Sequence, residues 1–190
     1  MNKTLINPRT SVLAIIILSA GIWRLCITSG HSSLTNFTPI GAMALFGGCY
    51  FADRWKAFLL PLLTLWLSDL LLSYFVYFHE WKWFYSGFYI TYGAFMLIVL
   101  MGRFIKKVNV KNILVASILA ALTHWLITDF GVWMDGRLYP KNLEGLITCY
   151  VAALPYVENM MIGNLVFGAI MFGSFELAQK KYPQLQLRNV

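Results

Sequence analysis

The sequence predicts an all-α integral membrane protein: six transmembrane helices in one compact bundle, both termini cytoplasmic, with a short re-entrant or interfacial helix between helices 5 and 6. Three observations lead there. The 190 residues are 59% hydrophobic and only 12% charged, where a soluble domain carries about 25% charged residues. Apolar runs recur at lengths that suit a hydrocarbon core of ~30 Å, which takes about 20 helical residues to cross. The lysines and arginines then fall into alternate connections between those runs, as the positive-inside pattern requires. That same alternation accounts for the net charge of +7 without a nucleic-acid partner. Three cysteines with no CxxC spacing indicate neither a zinc site nor a disulfide framework.

Lys3 and Arg9 precede the apolar run SVLAIIILSAGIW, which no small-x-small cleavage site follows before Arg24. The run therefore reads as an uncleaved first span, Ser11–Ile27. A polar stretch leads to the glycine-rich second span, Pro39–Phe51, and a tight turn at residues 52–55 to the third, Lys56–Phe78, which carries Asp69. An aromatic loop, HEWKWFYSG, precedes the fourth span, Phe88–Ile105. The basic loop KKVNVKN opens the fifth, Ile113–Met134. LEGLITCYVAALP, about 13 residues, is too short to cross, and reads as an interfacial helix capped by Asn142 and ended by Pro155. Met160–Gln179 is the sixth span, and the whole chain, 1–190, reads as a single six-helix transmembrane domain.

Eleven of the fifteen basic residues then lie on one side: Lys3 and Arg9, Arg54 and Lys56, the group from Arg103 to Lys111, and Lys180, Lys181 and Arg188. Lys82, Arg137 and Lys141 lie on the other, with Arg24 near a span end. This puts both termini on the cytoplasmic side of the membrane.

Depth sorts the polar residues. An aspartate inside an apolar span costs at least ~2.5–3.5 kcal/mol, so a site or a partner must offset it. In the fifth span Trp125, Asp129 and Trp133 form one helical stripe, and His124 and Thr128 a neighbouring one. Asp69, Asp129, Trp133, Asn159 and Asn164 fall in the outer halves of their spans, and Asn36, Trp81, Trp83 and Cys149 in the outer connections. Together they suit a cup that takes a small-molecule substrate from outside. Each has a plainer reading as well: Trp81 and Trp83 as an interfacial belt, Asp69 as the partner of Arg24, Asn164 as interhelical glue, His124 and Cys149 as packed core groups. No HExxH, GxSxG, P-loop or dinucleotide fingerprint is present. An intramembrane enzyme using Asp69, Asp129 and His124, or a structural subunit of a membrane complex, are the alternatives to a transporter.

The segments NFTPIGAMALFGG (36–48), LTLWLSDLLL (63–72), LITDFGVW (126–133) and YPKNLEGLITCYVAALPY (139–156) resemble a bacterial membrane family with the architecture of the substrate-binding S-components of energy-coupling factor vitamin transporters. The resemblance implies binding of a vitamin-sized molecule at the outer side and its release inward. S-components that dock a shared energising module carry AxxxA in the first span; here Ala14 is followed at i+4 by Leu18. The pattern is missing, which speaks against that partner and brings the chain nearer the solitary S-component-like cobalamin transporters. Those use a cysteine as a cobalt ligand, and Cys149 is the cysteine whose depth matches, with cobalamin then the transported ligand.

Overall fold

The computed structural model describes residues 7–29 and 36–186; Lys3 and Arg188, counted above among the cytoplasmic charges, lie outside them. All regular structure among the described residues is helical: α1 (Pro8–Ser29), α2 (Ile40–Tyr50), α3 (Arg54–Leu72), α4 (Phe88–Arg103), α5 (Val110–Asp135), α6 (Leu143–Ala152) and α7 (Leu154–Lys181). A π-helical turn, Ser73–Tyr77, extends α3, and a 3-10 turn, Pro183–Leu185, closes the tail. Four segments are long and apolar enough to cross a membrane: Pro8–Thr28, Arg54–Tyr77, Val110–Asp135 and Leu154–Lys181. At most 44% of any of their most apolar windows is buried inside the bundle. Their outer faces carry Ile15, Ile22, Leu59, Leu63, Leu119, Leu126, Ile170 and Leu177, all exposed. Apolar surface so continuous is stable only against lipid, which marks a multi-pass membrane protein.

Two segments read above as full spans are shorter. α4 has 16 residues and α2 only 11; at 1.5 Å per residue α2 covers about half of a ~30 Å core. It is nonetheless the centre of the molecule. Every residue of α2 except Cys49 is buried, and α1, α3, α4, α5 and α7 all pack on it. Small residues make this packing fit. A Cβ on Gly48 would overlap the Val99 carbonyl, and one on Gly102 the Leu45 backbone, so α2 and α4 cross with their backbones in contact, as small residues permit in membranes. Phe46, Tyr50, Phe172 and Phe175 fill the other side of α2, mostly edge to face, with ring centroids 4.6–5.7 Å apart.

Caps set the remaining boundaries. Asn109 and Asn142 accept hydrogen bonds from the amides of Asn112 and Gly145, each 2.8 Å, at the starts of α5 and α6. The Asn142 cap is as the sequence predicts. Pro155 is different: it stands in the first turn of α7, which begins at Leu154, six residues before the predicted sixth span. A proline there loses no helical hydrogen bond, so a stop signal in the sequence serves as a start.

The two ends of the bundle are chemically distinct. At one end Arg9, 6% exposed, donates to the Leu185 carbonyl, to Gln179 Oε1 at 2.9 Å and to the Tyr50 carbonyl at 3.0 Å. Tyr50 donates in turn to Glu176 Oε1 at 2.6 Å. This cluster ties the start of α1 to the ends of α2, α7 and the tail. The end of α1 meets the end of α3 and the start of α4 at the opposite pole, through Arg24, Asp69 and Tyr92.

Candidate functional site

Around that second pole lies a cavity of about 350 Å³. Arg24 and Thr28 come from α1, Asp69 from α3, Thr91 and Phe95 from α4, His124 and Thr128 from α5, and Met160 from α7. Tyr77 and Tyr85 enter from the α3–α4 connection, and Asn36 and Thr38 from the chain just before α2. The short α2 is what leaves room. Residues 36–39 are not helical, Asn36 has φ 71°, and the Thr38 amide bonds the Asn36 carbonyl at 2.9 Å. Asparagine tolerates this left-handed conformation better than most residues. Irregular backbone at such a depth is tolerated where it lines a wet cavity.

An ion pair dominates the electrostatics. Arg24 Nη1 lies 2.6 Å from Asp69 Oδ1 and donates to Ser68 Oγ at 2.6 Å, while Tyr92 donates to Asp69 Oδ2 at 2.9 Å. Both Asp69 oxygens are therefore engaged. Arg24 bonds the protein through Nη1 alone among the described residues, which leaves half of its guanidinium fork to the cavity. Tyr85 is half-buried, and burial, reinforced by the Asp69 carboxylate, pushes its phenol above the ordinary range. It thus remains a neutral hydroxyl at any physiological pH.

A smaller cavity of about 160 Å³ adjoins the first, sharing Asn36, His124, Thr128 and Met160 with it and adding Trp125, Asp129 and Tyr156. The α5 stripes divide accordingly. His124 and Thr128 face both cavities. The Trp125–Asp129–Trp133 stripe faces α6: the Trp125 ring lies edge-on to Tyr150 at 5.3 Å, Cys149 Sγ donates to the Asp129 carbonyl at 3.4 Å, and Tyr150 donates to the Leu126 carbonyl at 2.7 Å. The Trp125 indole nitrogen is buried with no hydrogen-bond partner among the described residues.

The residues singled out from sequence scatter. Asp69 and Asn36 line the main cavity, and Asp129 the smaller one. Trp133 donates to the Pro140 carbonyl at 3.1 Å and staples the chain after α5. Trp81 stacks on Tyr74 and Trp83 on Trp66, both exposed outside the bundle. Asn164 is fully buried between helices: its Nδ2 donates to the Ser117 carbonyl and Ser117 Oγ to its own carbonyl, each 3.3 Å. Asn159, half-buried on α7, lines neither cavity. Cys149, 2% exposed, faces the α5 backbone and lines neither. Among the described residues no three His, Cys, Asp or Glu side chains gather as a metal site. Arg24, Tyr77 and Thr91 line the main cavity and were not singled out as site residues from the sequence. Arg24 carried the clearest signal, the single basic residue inside the first apolar run.

Residues 4–185 match the model of a protein family described as a family of unknown function, DUF6580, and the chain belongs to that family. No curated protein and no solved structure matches the chain.

Proposed function

We propose that this DUF6580 member is a substrate-binding transporter of S-component type, which captures a vitamin-sized molecule at the extracytoplasmic end and releases it inward. Six crossings with both termini in the cytoplasm belong to this reading. They follow from the charge count, and the Arg9 cluster then lies at the cytoplasmic end and the cavity at the outer end. The observation that carries the proposal is the cavity itself. It draws on α1, α2, α3, α4, α5 and α7 at one pole only, joins a half-used guanidinium to hydroxyls and an apolar floor, and is backed at the other pole by packed phenylalanines.

The lining favours a particular ligand. Its volume of about 350 Å³ stands at the small end of the ~300–1,000 Å³ of small-molecule sites, which suits a single ring system better than a corrinoid. No cysteine lines it, so the cobalt-ligand role of Cys149 has no support there. Arg24 offers two or more donors to a carboxylate or carbonyl, the threonines and tyrosines read hydroxyls and amides, and Phe95 and Leu65 take a ring. Release inward follows from rocking of the bundle once the loop from residue 78 to 87 closes. Asp69 and Asp129 face separate cavities, which makes an enzyme using both the weaker reading.

The test is mass spectrometry of small molecules released from the purified protein, beside a Thr128→Trp variant whose indole fills the cavity. One compound at near-equimolar amount in the native protein, and none in the variant, is expected. Equal amounts in both preparations, or none in either, would count against a ligand in this cavity.

A further inference from the structure

At the opposite end of the bundle another hollow, about 690 Å³, lies between the α4–α5 loop and the first three turns of α5. Lys106, Lys107 and Lys111 line its outer part, all exposed and none in an ion pair among the described residues. At this end the acidic residues are already taken: Asp53 pairs with Lys56, and Glu176 accepts from Tyr50. The three cations also meet the start of α5, where the backbone itself is positive and a lysine such as Lys111 is out of place unless an anion joins it.

Apart from Asn112, the rest of the hollow is apolar. Val115 and Leu119 follow Lys111 at i+4 and i+8, one stripe running about 12 Å up the helix toward the membrane interior. Phe104, 72% exposed, borders it from the loop. The backbone that presents the lysines is fixed: Asn109 accepts from the Asn112 amide, and Asn112 Nδ2 donates to the Lys107 carbonyl, each 2.8 Å. A rigid cluster of uncompensated cations at the head of an apolar stripe matches one kind of molecule, a lipid with an anionic headgroup.

We infer that this hollow is a binding site for an anionic phospholipid, its headgroup phosphate on Lys106, Lys107 and Lys111 and an acyl chain along Val115 and Leu119. The site is independent of the outer-end cavity and of whatever that cavity takes. A phosphate held by three lysines and seated by a chain gains both affinity and orientation, which scattered positive-inside charges do not provide.

The test is native mass spectrometry of the purified full-length protein in mixed micelles containing equal phosphatidylglycerol and phosphatidylcholine. The native protein should retain one phosphatidylglycerol in preference to phosphatidylcholine. Replacing all three exposed lysines (Lys106→Gln, Lys107→Gln, Lys111→Gln) should weaken retention on the order of a hundredfold. Leu119→Trp, which fills the stripe and keeps every charge, should also lose the bound lipid. Equal retention of the two lipids, unchanged retention in either variant, or displacement of the lipid by millimolar inorganic phosphate alone would overturn the proposal.

Discussion

The Arg24–Asp69 pair is the point at which cavity and stability meet, and a double-mutant cycle separates the two. The side chains are 17% and 12% exposed and the N–O distance is 2.6 Å. Charges about 4 Å apart attract by ~4 kcal/mol at an effective dielectric of about 20. Water in the cavity reduces this toward the ~0.2–1 kcal/mol of surface pairs, and a coupling of about 2 kcal/mol lies between those limits. Asp69→Asn keeps the shape and the Tyr92 contact but leaves Arg24 uncompensated; Arg24→Gln does the converse. Each single change should therefore destabilise the protein, and the double variant should recover roughly the coupling energy. Unfolding by sodium dodecyl sulfate, followed through the intrinsic tryptophan fluorescence, measures all four corners. Single effects that add to within ~0.3–0.5 kcal/mol would refute the pair. The cycle also speaks to function. A double variant that is folded yet retains no small molecule marks the pair as part of the binding surface, and one that still retains it marks the pair as scaffold.

Other consequences are measurable in the same preparations. Gly102→Ala drives a Cβ into the Leu45 backbone and should cost about 1–3 kcal/mol or more, since backbone cannot step aside. Gly41→Ala meets the Asn164 carboxamide; it should destabilise comparably, and Asn164→Ala should rescue part of the loss, a non-additivity the same assay detects. In detergent a maleimide should modify the exposed Cys26 well before the buried Cys149, with mass spectrometry of the intact protein following both; equal rates would contradict the packing of α6 on α5.

The bundle was legible because its physics is one-dimensional. Apolar runs mark helices, and Asn142 marks the start of α6 and caps it in the structure; the equivalent cap at Asn109 was not read from the sequence. The short α2 was not legible. Its glycine-rich sequence reads as an apolar span, and only its burial among five other helices shows it to be the core, with irregular chain before it opening the cavity. Asp69 was marked as a group needing a partner, and the structure pairs it with Arg24 at the edge of the cavity. The Trp125–Asp129–Trp133 stripe was visible as a stripe, but helical periodicity gives a face and not what covers it. Here α6 packs against Trp125 while Trp125 and Asp129 also border the smaller cavity, and the neighbouring stripe of His124 and Thr128 meets both cavities. Likewise indoles in a loop carry no information on direction, and Trp81 and Trp83 stack outside the bundle.

That the cavity opens to the extracytoplasmic side and holds a small molecule is tested most directly by labelling a cysteine placed in its wall. Thr28→Cys in a Cys26→Ser background leaves Cys149 buried and Cys49 at the far end of α2, so intact spheroplasts treated with a membrane-impermeant maleimide report on the cavity wall. The account predicts modification from outside, slowed when the small molecule recovered from the native protein is added back. Modification only after the membrane is permeabilised would contradict it.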